Sequence, residues 1–234
     1  QGNVTTTAWP DGEKLVATAN ADGSKTIAVY NAQGQTVAQV AVPGTAPAPA
    51  QPFTDVSADH WAAQAVNALA GMELVQGVDA AARRYDLTSP VTRASLAQIL
   101  VRLAQGQAGK AADFTDVAAD AWYAQAVAWC ADYGVVTGYS GGAFGPNDLI
   151  TREQLCLMLQ RFATLLGQEA AGSAEGLKAF SDVASVSSWA QNAMAWAVEK
   201  GIVTGKDGKA LAPQGTASRA ETAAMLWRFI QSLG

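Results

Sequence analysis

The sequence predicts a mainly α protein, three helix–loop–helix repeats packed on one another, preceded by a small antiparallel β meander. Two observations carry this. From Phe53 onward a set of short motifs returns three times, and inside each return the apolar residues fall at helical spacing. Before residue 44 the pattern differs: short β-leaning runs are broken by Asp-Gly and Gln-Gly turns.

The β-leaning runs are Lys14–Ala19, Lys25–Asn31 and Thr36–Val42, separated by Asp11-Gly12, Asp22-Gly23 and Gln33-Gly34. Ile27, Val29, Val37 and Val40 stand among polar residues in a partly alternating pattern. Residues 1–43 therefore read as a meander of about three or four strands. A sheet this small has little core, and reads either as the remnant of a larger domain or as a sheet packed on its neighbour. PGTAPAPAQP follows at 43–52. Alternating Ala and Pro supports neither helix nor central strand and favours polyproline II, which places a semi-rigid linker and the domain boundary at 44–52. The chain opens at Gln1-Gly2 without the basic and apolar regions of a signal peptide, and reads as a mature fragment or a trimmed piece of a longer chain.

The helical module spans 53–234, with repeats at 53–113, 114–179 and 180–234. FTDVSADHW (53–61) returns as FTDVAADAW (114–122) and FSDVASVSSW (180–189). MELVQG (72–77) returns as YGVVTG (133–138) and KGIVTG (200–205). VTRASLAQILVRL (91–103) returns as ITREQLCLMLQRF (150–162) and ASRAETAAMLWRF (217–229). In the first helix of each repeat the stripe is Trp61, Ala65, Leu69, then Trp122, Ala126, Cys130, then Trp189, Ala193, Ala197. Gly134 and Gly201 end that helix in the last two repeats, where the first has Glu73. The second helix carries Leu96, Ile99, Leu100 and Leu103, an i, i+3, i+4, i+7 stripe. Its counterparts are Leu155, Met158, Leu159, Phe162 and the weaker Thr222, Met225, Leu226, Phe229. One helix pair cannot bury its own stripe, so the three repeats must pack together.

Composition narrows the function. Half of the residues are apolar, 15% are charged and the net charge is −5 with no Lys/Arg run, so nucleic acid and anionic membrane are poor partners. No run of eighteen apolar residues exists, which excludes membrane insertion by a helix. Cys130 and Cys156 read as two buried small hydrophobes, with a disulfide as the alternative. Two thiols without a nearby His fall short of a metal site. The only histidine, His60, is replaced by Ala121 and Ser188 in the other repeats, so it cannot be a shared base and is expected at the surface. No GxSxG, HExxH, P-loop or Rossmann fingerprint is present, and no cofactor and no enzyme activity are expected.

Thr92, Thr151 and Ser218 look like N-caps, with Gln154 and Glu221 three residues later completing capping boxes; repeat 1 has Ser95 there. Arg93, Arg152 and Arg219 would then occupy the first helical position, where a cation costs roughly 0.3–1 kcal/mol against the macrodipole. A cost repeated three times points to a carboxylate or phosphate ligand beside exposed helix-start N–H groups. The alternative is an inter-repeat ion pair to Asp55, Asp116 or Asp182, which otherwise read as caps of the first helices. Arg102, Arg161 and Arg228 lie toward the helix C-terminus, where the dipole favours cations, and are expected to be structural. Trp61, Trp122 and Trp189 are expected in the core, with stacking on a sugar face as the alternative. Trp129 and Trp196 read as core or groove wall, and Trp227 stays open.

These motifs, FxDV…W, G(V/I)VTG, GGAFGP and (I/V)TRxx, resemble the S-layer homology family over residues 53–234. The resemblance implies a pseudo-threefold bundle of three helical repeats with grooves between neighbours. It also implies secretion and non-covalent attachment of a bacterial surface protein to a secondary cell-wall polysaccharide. The partner would be a pyruvylated polymer or another peptidoglycan-linked glycan. The glycan-binding set would be Arg93, Arg152, Arg219, Trp61, Trp122, Trp189 and Lys206, with Arg152 foremost because repeat 2 keeps YSGGAFGPND (139–148). A protein–protein or surface-layer lattice module, with self-association, is the alternative. Repeat 1 departs from the pattern with VDAAARRYDLTSP (78–90), carrying Arg83 and Arg84, and repeat 3 with KDGKALAPQG (206–215), carrying Lys206 and Lys209. The three grooves are therefore not expected to be equivalent.

Overall fold

Residues 3–45, 52–107, 110 and 112–234 are described by the structure, a computed structural model; most of the expected linker, 46–51, lies outside them. Four strands, β1 (Asn3–Ala8), β2 (Lys14–Ala19), β3 (Lys25–Tyr30) and β4 (Thr36–Val42), form one antiparallel sheet in chain order. β1, which the sequence reading did not place, is exposed along its whole length. The three hairpin loops share one geometry. Gly23 N–H donates to Asn20 O and Asn20 N–H to Ser24 O, and the same pair of bonds recurs at Trp9–Glu13 and Asn31–Gln35. The alternating apolar residues Leu15, Ile27, Val29, Val37, Val40 and Val42 are buried in the same hydrophobic cluster as the helices. Lys25 Nζ donates to Leu233 O at 2.9 Å, tying the sheet to the end of the chain.

Each repeat contributes two α-helices: α1 (Ala63–Gly71) and α2 (Arg93–Ala104), α3 (Ala124–Asp132) and α4 (Arg152–Leu165), α5 (Gln191–Glu199) and α6 (Arg219–Ser232). Short 3₁₀ turns at Ala174–Ala179, Val183–Ser185 and Ser188–Ala190 lead into α5. The apolar stripes decide the packing. α2 lies on α3, α4 on α5 and α6 on α1, so the second helix of every repeat buries its stripe against the first helix of the next, and the last repeat returns to the first.

The segments entering the second helices close the circle. Val91 N–H donates to Ala217 O (3.1 Å), Ala217 N–H to Ile150 O (3.0 Å) and Ile150 N–H to Val91 O (2.8 Å), a ring of three hydrogen bonds, one residue from each repeat. Val91, Ile150 and Ala217 are all buried, so these backbone groups need one another. Cys130 and Cys156 are both buried and free; the disulfide alternative is not formed. Burial raises both thiols, that of Cys156 to about 12, which leaves them protonated and inert at neutral pH.

Candidate functional site: three inter-repeat grooves

The motifs build the loops that line the grooves. The phenylalanine of each FxDV packs its ring on the glycine ending MELVQG, YGVVTG and KGIVTG. A β-carbon at Gly138 would lie 2.6 Å from both the Phe114 ring and Ala143 O, so no larger residue fits. The aspartates do not cap helices, as the sequence suggested. Asp55 accepts from the N–H groups of Tyr85 and Asp86, Asp116 from those of Phe144 and Gly145, and Asp182 from those of Leu211 and Ala212, all at 2.7–2.8 Å. Each carboxylate thus pins the long loop of its own repeat. Burial works to raise these carboxyls, but the paired loop N–H donors outweigh it and hold all three below the usual aspartate value. First helices need no such cap because their leading N–H groups bond back into the preceding turn, as Ala63 N–H does to His60 O. His60 is half-buried and Nδ1 accepts from Ala62 N–H.

Thr92, Thr151 and Ser218 are N-caps, each accepting from the N–H three residues on, with full capping boxes at Thr151/Gln154 and Ser218/Glu221. The helix-start amides, however, are not open to an anion. Arg93 and Ala94 donate to Asp148 O and Pro146 O, Arg152 and Glu153 to Gly215 O and Pro213 O, and Arg219 and Ala220 to Ser89 O and Leu87 O. Carbonyls of the next loop thus satisfy the groups that the sequence reading had offered to a ligand.

The same loops hold the arginines. Nε of Arg93, Arg152 and Arg219 donates to Phe144 O, Leu211 O and Tyr85 O at 2.8–2.9 Å. No ion pair joins them to Asp55, Asp116 or Asp182 among the described residues. Arg93 lies 4.6 Å from the Tyr139 ring centroid and 4.9 Å from that of Phe144, and Arg219 lies 4.2 Å from that of Tyr85. Arg152 has no aromatic shelf among the described residues; its Nη1 faces Glu221 Oε1 at 3.4 Å, which Lys206 Nζ also meets at 3.0 Å.

Each groove draws on all three repeats. Groove 1 (about 220 Å³) combines Gln76, Ser95 and Arg102 of repeat 1 with Trp122 of repeat 2 and Arg219 of repeat 3. Groove 2 (about 250 Å³) combines Thr137, Gln154 and Arg161 with Trp189 and Arg93. Groove 3 (about 390 Å³) combines Lys206, Glu221 and Arg228 with Trp61 and Arg152. One expectation is corrected here. Trp61, Trp122 and Trp189 are not core residues but are 61%, 64% and 51% exposed, because each stands before its α-helix begins, on the preceding turn. Arg102, Arg161 and Arg228, expected to be structural, line the same grooves as Arg219, Arg93 and Arg152 respectively. Arg161 and Arg228 donate to the hydroxyls of Thr137 and Thr204, while Arg102, opposite Gln76, has no partner among the described residues. Recurrence nine positions after the first arginine was the signal for these cations. Trp129 and Trp196 are core, and Trp227 joins them. Lys209 lies outside the lining of groove 3, and no metal-holding group of His, Cys, Asp or Glu occurs among the described residues.

The molecule is thus a set of helical repeats whose grooves each hold two guanidinium groups and an exposed tryptophan. The chain belongs to the S-layer homology domain family, which it matches at residues 52–80, 113–156 and 179–223. It is similar to the amylopullulanase of Thermoanaerobacterium thermosulfurigenes, 33% identical over 183 residues covering 78% of the chain and 10% of that protein. The surface-layer 125 kDa protein of Lysinibacillus sphaericus is 29% identical over 200 residues, 84% of the chain and 16% of that protein. The cellulosome-anchoring protein of Acetivibrio thermocellus is 28% identical over 146 residues, 60% of the chain and 32% of that protein. The chain therefore spans a third or less of these relatives. No described helix is long and apolar enough to cross a membrane.

Proposed function

We propose that this chain anchors a surface protein non-covalently to the bacterial cell wall by binding a secondary cell-wall polysaccharide. An acidic sugar, of which a pyruvylated one is the leading candidate, sits in the inter-repeat grooves, and the chain performs no catalysis. The observation that carries this reading is the groove itself: a pair of guanidinium groups from different repeats beside an exposed indole face. The cations suit a carboxylate substituent and the indole suits the apolar face of a pyranose. Family membership and the anchoring and surface-layer relatives support the same role. The ring of three hydrogen bonds and the cyclic helix packing support a pseudo-threefold bundle. Three grooves on one chain raise avidity above that of any single groove.

The test is retention of the full chain on purified peptidoglycan-linked wall polymer, before and after mild acid removal of ketal substituents. Retention on the intact polymer, lost after acid, is expected. Arg102→Ala and Trp122→Ala, both exposed, should each weaken retention while the melting curve stays put. Equal retention on both polymers, or by both variants, would overturn the acidic-sugar reading.

A further inference from the structure

Groove 1 does not stand alone. A second cleft of about 400 Å³ adjoins it, and Gln98, Arg102 and Trp122 line both. The remaining polar side chains of the second cleft are Gln105, Gln107 and Gln125. Among the described residues no carboxylate lines it, and its only charge is Arg102, at the junction with groove 1. The side-chain amides of all four glutamines make no hydrogen bond among the described residues. Gln105, Gln107 and Gln125 are exposed and Gln98 is half-buried, so their amides stand open to a ligand beside the exposed indole.

A primary amide offers a carbonyl acceptor and two N–H donors, which matches neighbouring sugar hydroxyls that each donate and accept. The indole of Trp122 adds a flat apolar face of the kind a pyranose ring covers. Nothing in the cleft favours an anion over a neutral ligand except Arg102, already committed to groove 1. We propose that this cleft is a second subsite that takes an uncharged pyranose, the residue next to the acidic sugar held in groove 1. The inference rests on the proposed role of groove 1 and extends it: groove 1 reads two consecutive sugars and so fixes the direction of the polymer. Grooves 2 and 3 read one. At the positions equivalent to Gln98 they carry Leu157 and Ala224, whose side chains offer no hydrogen bond, although the position of Gln125 keeps an amide as Gln64 and Asn192.

The experiment is isothermal titration of the full chain with a pyruvylated monosaccharide and with the disaccharide that extends it by one neutral N-acetylhexosamine. The disaccharide should bind about tenfold tighter, and Gln105→Ala with Gln125→Ala, which line the second cleft alone, should cut that gain below about twofold. A disaccharide that gains nothing, or a gain that survives both substitutions in a folded variant, overturns the proposal. Failure of the acidic-sugar reading shows itself separately, as a monosaccharide that does not bind. In that case the neutral N-acetylglucosamine trimer is titrated alone while the ¹⁵N side-chain amide signals of Gln105 and Gln125 are followed. Shifts of those signals support the subsite, and their absence overturns it.

Discussion

Glu221 serves three partners at once: it closes the capping box of α6, faces Arg152 and pairs with Lys206. Groove 3 thereby carries its own carboxylate where grooves 1 and 2 have Ser95 and Gln154. Gln154 shows that an amide keeps the capping box. Glu221→Gln should therefore fold normally and strengthen binding of an acidic sugar in groove 3 by about three- to tenfold, read by titration calorimetry. Burial would raise this carboxyl, but the Ser218 N–H, Lys206 and Arg152 together hold it below its ordinary value. A depressed folded pKa gives stability that is present above the unfolded value, 4.5, and lost as the pH falls through the folded one. Glu221→Gln should accordingly flatten the acid limb of the stability curve below that pH. Asp182→Asn should be costlier in the fold: an amide nitrogen would face the N–H of Leu211 or Ala212. The solvent-reachable setting limits the loss to about 1 kcal/mol, measurable by denaturant titration.

Helix ends show where local rules held and where they were overruled. The second helices start at the residues that capping chemistry dictates, because Thr or Ser followed by a polar N3 residue satisfies the first amides locally. The first helices start at Ala63, Ala124 and Gln191, two residues beyond each tryptophan, so an apolar stripe that counts from Trp61 overestimates the helix. At the other end of α1, Glu73 adopts φ +58°, the left-handed conformation that Gly134 and Gly201 supply in the other repeats. An L side chain there is strained, and Glu73 is exposed. Glu73→Gly should raise stability by about 0.5–1 kcal/mol in thermal or denaturant melts, the relief of strain exceeding the added flexibility of the unfolded chain.

The whole molecule closes on itself, and this makes the grooves collective. Because each groove takes side chains from all three repeats, removing residues 180–234 would strip Trp189 from groove 2, Arg219 from groove 1 and nearly all of groove 3. The shortened chain should lose wall-polymer binding altogether, not a third of it. The meander is a different matter. Its inner face shares the hydrophobic cluster with the helices, but no described meander residue lines a groove. Deleting residues 1–43 should lower the melting temperature, keep a cooperative transition and leave groove affinity unchanged. Loss of cooperativity would mean that sheet and repeats are one folding unit rather than the two domains proposed.

The sequence by itself determined the three repeats, both helices of each, the meander, the N-caps and the choice of Arg93, Arg152, Arg219 and Trp61, Trp122, Trp189 as residues to watch. All of these follow from periodicity and local hydrogen-bonding chemistry, which act within a few positions along the chain. Only the tertiary structure decided what those residues face. The aspartates reach loops about thirty residues away, as Asp116 reaches Phe144. The helix-start amides are consumed by carbonyls of the next repeat, and Arg102, Arg161 and Arg228 share a groove with the helix-start arginine of another repeat. A dipole argument for one helix cannot see a partner supplied by another. The cyclic packing of second helix on next first helix is a long-range choice, and it is that choice that turns three copies of one local pattern into grooves of unequal charge.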